Sequence, residues 1–396
     1  MGEKDLVPKR RFQDFENEWI EMCLNELSES FSYGLNAESK EYDGKNKYIR
    51  ITDINDDTRM FDKSNLTSPN IDYEVSNDYI LCEGDILFAR TGASVGKTYR
   101  YDRLDGKVYY AGFLIKARIK NEYDSEFVFQ NTLTKNYRNF VYITSQRSGQ
   151  PGINAQEYST FKLFMPNIEE QQKIGEFFKV IDERIANQER KIAKVKALKA
   201  AYLTEMFPQE GETVPKRRFK GFEGEWQIKQ IHEIADRHDN ARIPVTESQR
   251  VSGNTPYYGA NGIQDYVEGY THEGENILLA EDGANDLKNY PVHYCKGQIW
   301  VNNHAHVLKG KSDLLNNLFL SYLLKSIDMT PYLVGGGRAK LNSDAMMAIV
   351  SSIPIYAEQQ KIGQFFKNID DQIEMEEKKL DKLQKMKEAY LEEMFV

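Results

Sequence analysis

The chain has 396 residues, two to three times a typical domain of ~100–200 residues, and its 40% hydrophobic and 12% aromatic content rules out global disorder. Lysine and arginine total 52 against 61 acidic residues, a net charge of −9, which argues against coating nucleic acid or an anionic membrane by bulk charge but leaves room for a local basic face. The opening Met1-Gly2-Glu3-Lys4-Asp5-Leu6 has no apolar leader and no run approaches the ~18 residues of a membrane span, so a soluble cytoplasmic protein is expected.

In chain order, the first feature is Val7-Pro8-Lys9-Arg10-Arg11-Phe12, which returns as Val214-Pro215-Lys216-Arg217-Arg218-Phe219. Extended to Trp19 and Trp226, the two 13-residue stretches agree at 10 positions. Residues 20–166 then read as mixed α/β. The β-like runs Lys47–Ile51, Asp85–Arg90 and Val108–Ile119 are followed by a helical stretch, Ser125–Thr134, and a polar loop, 148–154, before a short strand ending at Met165-Pro166.

Residues 169–207 lack proline, and Gly175 is their only glycine; Pro166 and Pro208 bound them, which predicts one helix ~57 Å long at ~1.5 Å per residue. Its apolar positions Ile174, Phe178, Ile181, Ile185, Ile192, Val195, Tyr202 and Met206 follow a 4-3-4 spacing, a coiled-coil seam interrupted at Gln188 and Lys199. After Trp226, residues 227–354 form a second mixed insert with β-like runs at Ile277–Leu279 and Gln298–Leu308, a helix at Leu314–Ser326 and a Gly-rich loop, 335–342. The chain closes on a second copy of the long helix, whose seam reads Ile362, Phe366, Ile369, Ile373, Leu380, Leu383, Tyr390 and Met394, broken at Glu376 and Lys387. Glu169–Asp182 and Ala357–Asp370 match at 11 of 14 positions, and Ala201–Phe207 and Ala389–Phe395 at 6 of 7. Antiparallel pairing of the two helices is predicted, with Lys199 near Glu376 and Gln188 near Lys387, because a parallel register would oppose Lys199 and Lys387.

The frame is thus repeated and the inserts differ in sequence and length, which suggests two related but distinct recognition tasks. Charge in the first insert region is polarised. Residues 1–89 carry 10 basic and 20 acidic side chains, residues 90–166 carry 12 and 6. Basic residues from Arg90 to Lys120 alternate with Tyr99, Tyr101, Tyr109, Tyr110 and Phe113, a composition suited to phosphate and base-edge contact; exposed strand faces balanced by nearby acids are the equal alternative. Candidate DNA-contacting residues, chosen by chemistry, are Arg90, Ser94, Lys97, Arg100, Arg147, Gln150 and Asn154 in the first insert. In the second they are Asn285, Lys288, Asn302, Asn303, His304, Arg338, Lys340 and Asn342.

Three motifs carry less than they suggest. Gly92-Ala93-Ser94-Val95-Gly96-Lys97-Thr98 is one residue short of a phosphate-cradling P-loop. Asn254-Thr255-Pro256-Tyr257 departs from the Asn-Pro-Pro-Tyr of amino-methyltransferases and reads as an ordinary turn. His304-Ala305-His306 has no third ligand at suggestive spacing, and Cys23, Cys82 and Cys295 are scattered, so no metal site is expected. No catalytic constellation is found.

The EQQKIG-x-FF-x-x-ID segments, each entered from a Pro-terminated strand, resemble the specificity (S) subunit of type I restriction-modification systems. So do the loops carrying Ile153-Asn154 and Leu341-Asn342 and the stretch from Tyr257 to Ile263. The resemblance implies an α/β fold of two globular target-recognition domains, 1–166 and 208–354, separated by two long antiparallel coiled-coil helices, 167–207 and 355–396, with an internal pseudo-twofold repeat. It implies a non-catalytic subunit in which each domain reads half of a bipartite duplex DNA site while the helices set the spacing. Implied partners are two methyltransferase (modification) subunits using S-adenosylmethionine and two restriction/translocase subunits using ATP and Mg2+, with no cofactor on this chain. The alternative is a coiled-coil scaffold whose inserts bind protein rather than DNA.

Overall fold

The computed structural model describes residues 6–147, 149–209, 211–335 and 339–396. The chain divides into two units. The first combines residues 1–190 with 378–396, and the second is 191–377, so each long helix contributes one part to each unit.

In the first unit the sheet is antiparallel, in the order Ser28–Tyr33, Leu114–Ile119, Asp85–Ala89, Thr98–Arg100. In the second the order is the same: Ala235–Arg237, Ala305–Gly310, Glu275–Ala280, Val292–Lys296. The central strands are apolar, as their burial on both faces demands: Ile86, Leu87 and Phe88 in one unit, Ile277, Leu278 and Leu279 in the other, are all at most 1% exposed. A short antiparallel ladder, Ile20–Cys23 with Lys162–Met165 or Gln227–Gln230 with Val350–Ile353, brings the two ends of each insert together. The offset between equivalent positions falls from 207 at Ser28/Ala235 to 191 at Arg90/Glu281, so most of the extra length of the first insert lies between its first two sheet strands.

The long helices run Ile168–Met206 and Tyr356–Met394. Their repeated motif is a clip. Arg11 makes a two-pronged ion pair, 2.7 Å on each prong, with the fully buried Glu170, and Arg218 does the same with Glu358. Gln171 accepts from the Asp124 amide and donates to the Pro166 carbonyl; Gln359 accepts from the Asn316 amide and donates to the Pro354 carbonyl. Asp124 and Asn316 cap the head helices Ser125–Asn131 and Asn317–Ser326. Gly175 lies where a Cβ would come 2.5 Å from Asp124 Oδ1, so the glycine lets the capped helix end lie against the rod.

Within each unit the helix segments are antiparallel, as expected, but the predicted register is wrong. Lys199 meets Asp370 at 2.5 Å and not Glu376, which instead receives Lys191 at 2.7 Å; Lys387 meets Asp182 at 2.6 Å rather than Gln188. Aromatic pairs set the alignment: Phe177 against Tyr390 (5.0 Å between centroids) in the first unit, Tyr202 against Phe365 (5.2 Å) in the second. The seam residues Ile181, Ile185, Ile192, Ile369 and Ile373 are buried, while Val195, Tyr202, Leu380, Leu383 and Tyr390 are half-buried.

Four local expectations are corrected. The run Val108–Ile119 is two strands, Val108–Tyr110 and Leu114–Ile119, broken at 111–113; Gln298–Leu308 is likewise broken at 302–304. The helix expected to reach Thr134 ends at Asn131 and a second one, Lys135–Thr144, follows. Asn254–Tyr257 is not a turn: it lies in the strand Ser252–Gly259, whose register against Gly262–Val267 shifts between Ser252 and Thr255, with Pro256 paired to Tyr266.

Candidate functional site

At one end of each sheet the same main-chain frame recurs. In the first unit the Arg90 amide donates to the Phe113 carbonyl (3.1 Å), the Ile153 amide donates to the Arg90 carbonyl (2.9 Å), and Thr91 bridges to Gly152. In the second, Glu281 N donates to His304 O (2.9 Å), Leu341 N to Glu281 O (2.7 Å), and Asp282 bridges to Lys340. Each frame thus unites a strand end, a turn between two strands and a loop, and the loop runs into a short helix beginning after Asn154 or Asn342. Arg90, Gly112 and Phe113 correspond to Glu281, Asn303 and His304.

The two frames carry different side chains. In the first, the Arg90 guanidinium sits over the Tyr33 ring (4.9 Å to the ring centroid), Tyr33 accepts from the Ala155 amide (3.2 Å), and Phe113 lies at the turn, 63% exposed. In the second, Glu281 binds Arg242 (2.6 Å) and Lys340 (2.9 Å), and His304 Nδ1 lies 2.6 Å from Asp282. Burial pushes the Glu281 carboxyl upward, but the bonds from Arg242 and Lys340 outweigh it and hold the group below the usual carboxylate range.

Behind that edge, one oxygen each of Asp239 and Glu281 and a ring nitrogen of His306 lie within 4.8 Å of one another. The cluster is internally balanced. Both ring nitrogens of His306 lie within hydrogen-bond distance of oxygens, Asp239 at 2.7 Å and the Leu341 carbonyl at 2.9 Å, and Arg242 bridges the carboxylates. It reads as an ion-pair network tying the second frame to its sheet. The histidine spacing gave no sign of it, because the carboxylates come from 67 and 25 positions earlier.

The remaining candidates are distributed as follows. Lys97 is buried, its ammonium 2.5 Å from Asp56 and 3.0 Å from the Ile54 carbonyl; Arg100 pairs with Glu126 at 2.7 Å; Arg147 pairs with Glu157. The neighbouring Arg118 grips the fully buried Asp85, which raises the guanidinium's proton affinity. Much of the basic stretch is therefore matched by acids from elsewhere in the unit. Ser94 and Lys97 line an open cleft of about 750 Å³ with Arg59, Tyr137 and Asp182. Gln150 is exposed, its amide beside Gly92; Asn154 is exposed and caps its helix. Asn285, Lys288, Asn303 and Asn342 are exposed, whereas Asn302 is buried and holds the His304 amide (2.8 Å). Arg338 lies outside the described residues. Tyr33, Phe113, Glu281 and Asp282 were missed as site residues; Gly112, the one glycine within the run Val108–Ile119, was the available signal for the second.

The profile of the type I restriction modification DNA specificity domain matches residues 16–197 and again 223–385. The chain belongs to this family. It is a specificity subunit, a DNA sequence-recognition protein with two recognition domains and no catalytic role of its own. It is 49% identical over 150 residues to a putative type I restriction enzyme specificity subunit of Haemophilus influenzae, a match spanning only 38% of each chain. It is 21% identical to the putative MjaX specificity subunit of Methanocaldococcus jannaschii over 97% of this chain and 94% of that one. In fold it is similar to the S subunit of a type I restriction-modification system from M. genitalium, with a TM-score of 0.70, 16% identity, and 98% and 99% of the two chains covered. Among the described residues no helix is long and apolar enough to cross a membrane.

Proposed function

We propose that the two frames are the DNA-reading edges, that each reads one half of a bipartite site, and that the 39-residue helices set the spacer between the halves. The observation that carries this reading is the shared hydrogen-bond frame with different side chains: a cation and exposed phenyl in one unit, carboxylates, histidine and amides in the other. A helix of 39 residues extends ~58 Å, more than one ~34 Å turn of duplex DNA, so it is long enough to fix a spacing between half-sites. With a net charge of −9, the chain depends on its assembly for phosphate attraction and itself supplies register and base discrimination. The assembly comprises two methyltransferase subunits, which bind S-adenosylmethionine and dock on the long helices, and two restriction/translocase subunits, which use ATP and Mg2+, in the cytoplasm.

The test is an exchange of residues 20–166 for the corresponding insert of another family member, co-expressed with the methyltransferase subunits, followed by mapping of methylated adenines. One half of the recognised sequence changes and the other half and the spacer persist. A change in both halves, or in neither, overturns the assignment.

A further inference from the structure

Of the four arginines between residues 90 and 120, three are held by carboxylates: Arg100 by Glu126, Arg103 by Glu83, Arg118 by Asp85. Arg90 has no carboxylate partner among the described residues. Its guanidinium instead lies on Tyr33, and its polar contact within the chain is a long 3.5 Å approach to the Gly112 carbonyl. The fold does not need a cation here, because the equivalent position in the second unit is Glu281, held by the same two main-chain hydrogen bonds.

The surroundings are rigid. The Arg90 amide and carbonyl are both bonded, to Phe113 and Ile153. The turn at 111–113 is pressed onto the residues just after the strand Ser28–Tyr33: the Gly112 amide donates to the Leu35 carbonyl at 2.7 Å, and a Cβ on Gly34 would sit 2.2 Å from the Ala111 carbonyl oxygen. The loop side is fixed by the Ala155 amide on the Tyr33 hydroxyl. Phe113, whose carbonyl accepts from the Arg90 amide, is a large apolar side chain left exposed at the turn, where it gains little in the free chain.

We propose that Arg90 is a specificity-determining residue of the first half-site, a guanine reader in the major groove, and that Phe113 contacts the thymine methyl of an adjacent base pair. The forked, planar guanidinium matches the O6/N7 acceptor pair of guanine, and a phenyl edge matches the 5-methyl group that distinguishes thymine from cytosine. The contact with the Tyr33 ring restricts the fork before binding, which lowers the ordering cost. The assignment rests on the reading of the frames as DNA-contacting edges.

The experiment uses the full chain co-expressed with its methyltransferase subunits, with methylated adenines mapped for wild type, Arg90→Ala, Arg90→Gln and Phe113→Ala. Wild type shows a G·C pair in the half-site that follows the first insert. Arg90→Ala lowers discrimination at that one position by about ten- to a hundredfold, and Arg90→Gln, which keeps a stem and a bidentate amide, moves the preference toward adenine. Phe113→Ala relaxes the choice of thymine at a neighbouring position, and the other half-site is unaffected in every variant. Arginine variants that lower methylation evenly at an unaltered site would make Arg90 a phosphate contact and overturn the inference while leaving the bipartite reading intact. A wild-type protein with no bipartite preference would overturn both.

Discussion

The aromatic Phe395 belongs to the first unit although it lies 376 positions after Trp19. It is 8% exposed, and its ring packs on Trp19 (6.4 Å), Phe127 (5.2 Å) and Phe178 (5.6 Å). Phe207 occupies the equivalent place in the second unit, 2% exposed among Trp226 (6.2 Å), Phe319 (5.6 Å) and Phe366 (5.9 Å). Truncating a buried phenylalanine to alanine costs about 3–5 kcal/mol, and the lower figure suits Phe395, whose neighbours near the chain end can settle into the space. At about 1.4 kcal/mol per factor of ten, 3 kcal/mol is roughly a 150-fold rise in the opening equilibrium. Native-state hydrogen exchange reads this by strand. Phe395→Ala accelerates exchange in Leu114–Ile119 and leaves Ala305–Gly310 unchanged; Phe207→Ala does the reverse. Equal acceleration of both strands by either variant would refute the assignment of each helix end to its own core.

Two further outcomes follow from local chemistry. Burial and the nearby charge of Lys199 push Lys325 down to about 8, Asp370 opposing. The folded form therefore releases its proton earlier than the unfolded chain, and second-unit stability rises with pH between about 8 and the usual lysine range, by at most about 1.4 kcal/mol per pH unit. Denaturant titration across that window shows the rise, and Lys325→Met abolishes it; a flat wild-type profile refutes it. Gly175→Ala, which in an ordinary helix interior stabilises by about 0.5–1 kcal/mol, instead destabilises the first unit, because the new methyl meets Asp124 Oδ1 at 2.5 Å. A higher thermal midpoint for Gly175→Ala would show that this cap yields freely.

The repeated frame was legible because its residues form obligatory clips. An arginine with a buried glutamate, a two-faced glutamine and a glycine under a helix cap leave little freedom, so they recur as readable motifs. The helix register was not legible. Lys199 and Glu376 are the matching interruptions, but long polar side chains reach several partners, and the aromatic contacts of Phe177 and Tyr202 decide the alignment. The candidate site was legible as a region and misleading in detail. Clustering of charge along the chain drew in Lys97 and Arg100, whose acids come from Asp56 and Glu126, far enough away in sequence that no local pattern reveals the neutralisation. The break at 111–113 that exposes Phe113 was hidden within one continuous β-like run.

The frames also explain how the inserts can diverge while the function persists. The bonds that assemble each edge run from main chain to main chain: Arg90 to Phe113 and Ile153, Glu281 to His304 and Leu341. Such bonds are indifferent to side-chain identity, so arginine can stand where the other unit has glutamate, and phenylalanine where it has histidine, without altering the path of the strand, tip and loop. Packing demands fall instead on the buried apolar sheet residues and on the helix clips, whose glutamates are fully buried. Under the proposed reading, stability and recognition are carried by different atoms of the same segments. A change of reading side chain alters what is read at little cost to the fold, provided it stays on the exposed side of the frame.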